Sequence, residues 1–196
     1  IACLKAAVAS AKQKKLLTIL DAKRSDIGST LAAYGDFAFS YIAADALTLV
    51  PFFGVQTFHV LDNWLTAGKG IYVMCISSNH EAQTFQALVK SNILNEVSEF
   101  RKDEKLRASL GMVVGATRIA ELESEERKDM HSNFLLMPGI GAQGADITEL
   151  RESGLVTANN LFPISRALLN SFEPINPIEN WADYSRLIVE NLSFSK

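Results

Sequence analysis

The chain has 196 residues, of which 48% are hydrophobic and 21% are charged, a balance typical of a globular protein with one sizeable core. Its net charge of −3 argues against a general nucleic-acid-binding protein. No apolar run reaches the roughly 18 residues of a transmembrane helix, and no signal peptide is visible. Because the chain begins with Ile1 rather than methionine, we expect it to be a piece of a longer protein.

The cysteines and histidines give no pattern typical of a metal site. Cys3 and Cys75 lie far apart in separate apolar runs, which predicts two buried free thiols and is compatible with a reducing cytoplasm. There is no CxxC pair, and His59, His80 and His131 are not clustered. We therefore expect no zinc site and a cytoplasmic location.

Predicted helices and strands alternate along the chain. The alanine-rich stretch 1–15 predicts a helix whose lysine-rich end suits the helix dipole. Six apolar runs predict strands, two of which end in a turn or a glycine loop: 16–20, 46–54, 70–78, 110–117, 133–144 and 154–160. The segments between and after them predict helices: 29–43 with a hydroxyl cap at Ser29 or nearby, 55–69, 81–105, 118–130 as a charged and exposed helix, 146–153 and 165–172.

The predicted strands are continuous apolar runs, not alternating ones. Strands buried on both faces and joined by helices indicate a parallel α/β sheet. Two architectures remain open at this point: an open doubly wound sheet and a (β/α)8 barrel. The barrel requires two further strands upstream of this chain.

Three charges, Asp21, Lys23 and Asp26, follow the apolar run 16–20. Residues two apart on a strand point the same way, so Asp21 and Lys23 are expected to share a face at the strand end, where both architectures place their chemistry. Asp26 falls on the connecting loop. A lysine beside carboxylates stays protonated and can act as a proton donor, although the same residues can form a purely structural salt bridge.

The segment DAKRSDIGST, residues 21–30, resembles the D-x-K-x-x-D-I signature of the orotidine 5′-monophosphate decarboxylase family, and most closely its longer bacterial-type branch. The similarity continues in order through VPFFG, SSNHEAQTFQ, GMVVGAT, PGIGAQGAD and SRALL. The resemblance implies a (β/α)8 barrel that acts as a homodimer and needs no cofactor. On that reading, residues 1–196 form a single barrel domain that lacks its first two strands and contains about six of the eight.

The resemblance also implies roles for the charged segment. Asp21 and Lys23 would be catalytic. Asp26, Ile27 and Thr30 would reach into the active site of the partner subunit, which explains why Asp26 lies beyond the strand.

A glycine-rich loop and a serine pair complete the expected site. Gly139, Gly141 and Gly144 have the GxGxxG spacing of a dinucleotide loop, but the strand predicted at 154–160 ends in asparagine, so no acidic residue follows at the required place. Glycines here suit a single phosphate, with an arginine at a helix start as clamp. By resemblance, Gln143 and Arg166 hold that phosphate.

The pyrimidine ring would be held by the segment SSN and by the residue before the glycine loop. By resemblance, Ser78 hydrogen-bonds the ring and Pro138 lines the pocket. Ser77 is the alternative if the register is displaced by one, because adjacent residues of a strand face opposite ways. The chain departs from the family pattern at several loop positions: Ser25 for glycine, Val50 for asparagine, His80-Glu81 for proline-glycine and Ala145 for glycine.

The reaction implied is loss of CO2 from C6 of orotidine 5′-monophosphate, giving uridine 5′-monophosphate, with Lys23 protonating C6. One alternative is a Mg-dependent sugar-phosphate decarboxylase or aldolase of the same superfamily, which shares the D-x-K-x-x-D core. The other is a non-catalytic protein that binds a phosphate ligand. No nucleic acid or membrane is expected as a partner.

Overall fold

The computed structural model describes residues 1–140, 143–145 and 147–164. In these ranges the strands are β1 (Ile19–Arg24), β2 (Ala46–Leu49), β3 (Gly70–Ile76), β4 (Leu110–Val114), β5 (Phe134–Leu136) and β6 (Asn160–Leu161). The α-helices are α1 (Ala2–Gln13), α2 (Gly28–Gly35), α3 (Asp62–Thr66), α4 (Gln83–Phe100), α5 (Ser124–His131) and α6 (Ile147–Glu152). A π-helical turn, Asp36–Tyr41, continues α2, and short 3-10 turns follow β2, β3 and β4.

The strands form one parallel sheet in the order β1-β2-β3-β4-β5-β6. A doubly wound sheet reverses its strand order at a switch point, whereas a barrel adds each strand beside the previous one. Because no reversal occurs among these strands, the open sheet is excluded. The fold is a partial (β/α)8 barrel, as predicted.

The outer face of the sheet carries the core. Its side chains point toward the helices and are almost completely removed from solvent, including Leu47, Leu49, Ile71, Val73, Leu110, Met112, Val114 and Leu135. Long, continuous burial of branched apolar residues explains why these strands read as unbroken apolar runs. This layer fixes the positions of the strand ends that bear the charged residues.

The inner face of the sheet is more polar and more open. Thr48, Tyr72, Gly111 and Phe134 are paired across neighbouring strands in one row. A side chain at Gly111 would place its Cβ 2.6 Å from the Tyr72 ring, so glycine leaves room for that ring. A cavity of about 650 Å³ lies against this face and the amino-terminal strand ends.

Two strands differ from the predicted ones. β1 begins at Ile19 and continues through Asp21 and Lys23, whereas 16–20 was expected. Leu16 and Leu17 are 58% and 88% exposed and precede the strand. The last described strand is Asn160–Leu161, and most of the predicted strand 154–160 lies outside it, although Leu155 packs into the core. The predicted helix 165–172 lies outside the described residues.

Three helix predictions are also wrong in detail. The predicted helix 55–69 is a 3-10 segment, Val55–Leu61, followed by the short α3. α2 begins after Ile27, and no side chain caps it, so Ser29 is not its cap. The predicted exposed helix 118–130 is divided into a 3-10 segment, Ala116–Glu121, and α5, and Arg118 is buried with non-helical backbone angles. Part of the charge of this segment is therefore buried inside the protein.

The cysteines have different surroundings. Cys3 is exposed, so its predicted burial is wrong, while Cys75 is buried and free. Burial raises the pKa of the Cys75 thiol to about 12, which keeps it protonated and unreactive. In the part of the chain that the structure describes, no helix is both long and apolar enough to cross a membrane.

Candidate active site

A close ion pair lies at the carboxyl-terminal half of β1. The Lys23 ammonium nitrogen is 2.5 Å from Oδ1 and 2.6 Å from Oδ2 of Asp21. Both side chains are about half exposed, with 49% for Lys23 and 57% for Asp21. The end of β1 therefore brings a carboxylate and an ammonium together, within reach of a ligand.

A buried hydroxyl supports this pair from β2. The Thr48 hydroxyl donates to Oδ1 of Asp21 at 2.9 Å and accepts from the backbone N–H of Lys23 at 2.9 Å. Thr48 is completely buried. One side chain thus fixes both the carboxylate orientation and the backbone of the lysine.

The backbone of β1 is distorted at the same place. Leu20 pairs with Leu47 and Arg24 with Leu49, so three β1 residues lie opposite Thr48 alone. Lys23 has a φ of +46°, in the left-handed region that side-chain-bearing residues rarely adopt. Such bulges and strained residues occur where a strand redirects a functional side chain, and here the distortion directs the ammonium back onto Asp21.

Asp26 lies on the loop after β1, away from the pair. It is half-buried, and its Oδ1 accepts a hydrogen bond from the backbone N–H of Ile27 at 2.8 Å. Among ion pairs of the described residues, Lys23 joins Asp21 and not Asp26. The neighbouring Ser25 donates to the carbonyl of Val50 at 2.7 Å and ties this loop to the end of β2.

The residues after Asp26 form the start of α2. Ile27 is 60% exposed, a large exposure for an isoleucine, and Thr30 is half-buried in the first turn. Neither residue contacts the pair of Asp21 and Lys23 in the described hydrogen bonds. Their placement leaves Ile27 available to another surface.

The two serines after β3, Ser77 and Ser78, have different hydrogen-bond partners. Ser77 donates its backbone N–H to Oε1 of Gln86 on α4 at 3.1 Å, so it is engaged on the helix side. The Ser78 carbonyl accepts from the Thr117 hydroxyl at 3.4 Å. The Ser78 hydroxyl has no hydrogen-bond partner among the described residues, and it is the one that remains available to a ligand.

The loop after β5 lies beside the loop after β4. The Pro138 carbonyl accepts from the backbone N–H of Ala116 at 2.8 Å. Gly139 has a φ of +122°, and a Cβ there would lie 3.2 Å from both Oε1 of Gln143 and Cγ2 of Thr117. Gln143 is thus folded back over Gly139 while it remains exposed. Gly141 and Arg166 lie outside the described residues.

A second cavity opens beside Lys23. It measures about 520 Å³ and is lined mainly by apolar residues, which include Val50, Phe52 and Phe85. Glu96 is the carboxylate in its lining and accepts a hydrogen bond from the backbone N–H of Val55 at 2.6 Å. Within the described ranges, no three His, Cys, Asp or Glu side chains are grouped so that they could hold a metal ion.

The sequence matches a known protein family over most of its length. Residues 3–180 fit the model of the family described as "Orotidine 5'-phosphate decarboxylase / HUMPS family". The chain belongs to this family. The matched residues include β1, the strand where the ion pair of Asp21 and Lys23 is observed.

Curated relatives agree with that assignment. The chain is 34% identical over 171 residues to an orotidine 5′-phosphate decarboxylase of Natronomonas pharaonis, covering 85% of this chain and 62% of the relative. It is 40% identical over 135 residues to that of Delftia acidovorans, covering 65% and 48%. The chain thus spans about half to two thirds of the length of such relatives.

Solved structures share the fold. A Leishmania donovani UMP synthase has a TM-score of 0.76 and 26% identity, with 95% of this chain and 42% of that chain covered. An orotidine 5′-monophosphate decarboxylase of Plasmodium berghei has a TM-score of 0.78 at 23% identity, covering 95% and 60%, and shows likeness of fold. These similarities support the barrel reached from the strand order.

Two residues at this site were not singled out by the sequence analysis. Thr48 is the polar residue inside the apolar run ALTLV, and this interruption is a signal that could have identified it. Thr117 follows β4 in the motif GMVVGAT and links Ser78 to Gly139. Both are hydroxyl residues at strand ends, where they join segments that are distant in sequence.

Proposed function

We propose that this protein decarboxylates orotidine 5′-monophosphate to uridine 5′-monophosphate. The observation that carries the proposal is the ion pair of Asp21 and Lys23 on the inner face of β1, in a chain of the orotidine 5′-phosphate decarboxylase / HUMPS family. The relatives with that name at 34% and 40% identity support the substrate. The product would serve pyrimidine nucleotide biosynthesis.

Lys23 would be the proton donor. When the bond from C6 to the carboxylate breaks, CO2 leaves and the electron pair remains on C6. A positioned ammonium stabilises that charge and then transfers its proton to C6, after which the neutral amine takes a proton from water. Asp21, held by Thr48, pairs with the ammonium and would lie near the departing carboxylate.

The remaining contacts would hold the two ends of the nucleotide. Ser78 has an available hydroxyl for the pyrimidine, and Pro138 would line the same pocket. Gln143 is exposed beside the turn at Gly139, where backbone N–H groups can approach a phosphate. Arg166 would complete that phosphate site by a bidentate contact.

The working enzyme would be a homodimer with shared active sites. Asp26, Ile27 and Thr30 of one subunit would enter the site of the other. Large apolar side chains are exposed around this edge, with Ile27 at 60%, Phe52 at 73% and Phe85 at 57%. Phe52 and Phe85 line the cavity that includes Lys23, so a second copy of the chain would cover this surface beside the site.

The complete barrel would contain two further strands that precede β1. In the described residues, β1 is paired along one side by β2, and the inner face of the sheet borders a large cavity. The relatives are also longer than this chain. The free thiols of Cys3 and Cys75 suit the reducing cytoplasm, which we propose as its location.

The decisive experiment is turnover in the complete barrel, followed by the fall in orotate absorbance. Lys23→Ala should abolish turnover and leave binding of uridine 5′-monophosphate nearly unchanged. Lys102→Ala is the matched control, because Lys102 forms an exposed ion pair with Glu99 on the molecular surface. Normal turnover in Lys23→Ala would contradict the proposal, and loss of activity in a chelator would indicate the Mg-dependent class.

Shared sites can be tested by mixing two inactive variants. Asp26→Ala and Lys23→Ala each damage a different half of a shared site, so a hybrid dimer contains one site with both residues intact. If subunits exchange at random, about half of the dimers are hybrids, and each hybrid has one intact site of two. Mixing should therefore restore up to about a quarter of the activity. Subunit exchange is checked by mass spectrometry of differently tagged chains. No recovery after confirmed exchange would place Asp26 in the site of its own subunit.

A further inference from the structure

Arg118 is a buried charge that the proposed reaction does not use. It is 3% exposed and lies in the 3-10 segment after β4, with a φ of −123° and a ψ of 16° that interrupt the helical geometry. Its Nε and Nη2 atoms donate to the two oxygens of Glu121 at 2.9 and 2.6 Å. A buried arginine requires such pairing, but its remaining donors point elsewhere.

The third nitrogen of Arg118 is directed toward the loop after β3. Nη1 donates to Oε1 of Gln86 at 2.6 Å and approaches the carbonyl of Ser77 at 3.4 Å. The same Gln86 oxygen accepts the backbone N–H of Ser77 at 3.1 Å. The N–H and the carbonyl of Ser77 are therefore both fixed by side chains from other segments.

This arrangement restricts the next residue. Ser78 lies in a bend after β3, its carbonyl accepts from the Thr117 hydroxyl at 3.4 Å, and its own hydroxyl has no hydrogen-bond partner among the described residues. The backbone here is also closely packed, since a Cβ on Gly115 would lie 2.6 Å from the Ser78 nitrogen. The Ser77–Ser78 segment has little freedom to turn while Gln86 and Arg118 keep their contacts.

We infer that Arg118, acting through Gln86, is a positioning residue that holds Ser78 toward the pyrimidine ring of the nucleotide. The inference rests on the proposed function, in which Ser78 contacts that ring. Glu121 supports the arrangement by neutralising the guanidinium. Hydrogen bonding from Arg118 also holds the pKa of Glu121 below its ordinary value, so the carboxylate stays charged.

The inference predicts a loss of affinity that depends on the base. In the complete barrel, Gln86→Met should raise the KM for orotidine 5′-monophosphate and the Kd for uridine 5′-monophosphate by about tenfold, with a much smaller change in kcat. Ribose 5-phosphate has no base, and its inhibition constant should not change. In a Ser78→Ala background, Gln86→Met should have little further effect, because the two changes remove the same contact.

Two further variants separate positioning from stability. Arg118→Lys keeps a positive charge beside Glu121 but cannot reach Gln86 and Glu121 together, and it should produce the same base-dependent loss. Lys69→Met removes a partly buried pair with Asp45 at the amino-terminal ends of β2 and β3, away from Gln86 and Arg118. It should lower the melting temperature without changing the ratio of the two affinities.

Equal losses for uridine 5′-monophosphate and ribose 5-phosphate would overturn the inference, as would additive effects of Gln86→Met and Ser78→Ala. Failure of the proposed function gives a different result. In that case the unaltered protein neither binds uridine 5′-monophosphate nor decarboxylates the orotidine nucleotide, before any variant is made.

Discussion

At the scale of single residues, Thr48 connects the two charged residues of the candidate site. Its hydroxyl is both donor to Asp21 and acceptor from Lys23, and no water reaches it. A buried hydrogen-bonding group that loses its partner costs more than an exposed one. The acid and the lysine therefore depend on one buried oxygen for their mutual placement.

We predict that Thr48→Val lowers kcat by about 10- to 100-fold and the free energy of unfolding by about 1–3 kcal/mol, as expected when a charge-bearing buried network loses one hydroxyl. Valine has nearly the same shape, so the change removes hydrogen bonds and not volume. Turnover and urea denaturation measure the two effects. Thr66→Val is the control, because the Thr66 hydroxyl bonds only helix carbonyls at an exposed position. Normal turnover in Thr48→Val would show that the pair keeps its geometry unaided.

The sequence predicts one part of this cluster and not the other. The closeness of Asp21 and Lys23 was expected from their spacing of two residues on one strand, which is local information, although the observed pair forms across a bulge in β1. The contact with Thr48 joins residues 27 positions apart in the chain and depends on the bulge in β1. Strand register of this kind is set by tertiary packing, so a single sequence does not reveal it.

At the scale of the elements, the segment after β4 shows how a charged side chain can be buried within a sequence that is charged overall. The sequence RIAELESEERKDM indicates an exposed helix by composition, but Arg118 is buried beneath α4 and only α5 is a regular helix. The reason is the local supply of partners, since Glu121 and Gln86 satisfy the guanidinium. Composition predicts exposure only when no such partners converge on the charge.

This element should contribute to the acid sensitivity of the protein. The hydrogen bond from Arg118 lowers the pKa of Glu121 from its ordinary value of 4.5, with opposition from burial. A carboxyl whose pKa is lower in the folded state stabilises the fold above the unfolded value and loses that contribution as pH falls through the folded value. The contribution should therefore be complete near neutral pH and should decline below about pH 4.5.

We predict that Glu121→Gln lowers the free energy of unfolding by about 1–3 kcal/mol at pH 7, because Arg118 loses its charged partner. The difference from the unaltered protein should shrink as pH falls below about 4.5. Urea denaturation between pH 4 and pH 7 measures it. Glu99→Gln, in an exposed pair with Lys102, should have a much smaller effect at pH 7. A constant difference for Glu121→Gln at every pH would contradict the assignment.

At the scale of the whole molecule, the alternation of apolar runs and helices indicates parallel strands but not their order. The alternation predicted a parallel sheet but left two architectures open, because local patterns do not encode which strands become neighbours. The sequential order β1 to β6 decides between them. The end of β1 was misplaced because its inner face is polar at the strand end, where a barrel has its site and not its core. The start was misplaced because Leu16 and Leu17 are apolar but exposed.

The six described strands do not close a barrel, and this has a consequence that can be measured on the 196-residue polypeptide. Its inner face is only partly covered, with Tyr72, Phe134 and Leu136 bordering a cavity of about 650 Å³. A barrel removes such edges by closing, and the arc of six strands in the described residues does not. We predict that this polypeptide alone binds the dye ANS in its folded state and does not decarboxylate orotidine 5′-monophosphate. An amino-terminal extension that supplies two β/α units should abolish dye binding and restore turnover together.

The control is the same extension on Lys23→Ala, which should lose dye binding but remain inactive, since closure repairs the sheet and not the missing ammonium. Full turnover without dye binding in the 196-residue polypeptide would show that these residues close the barrel by themselves.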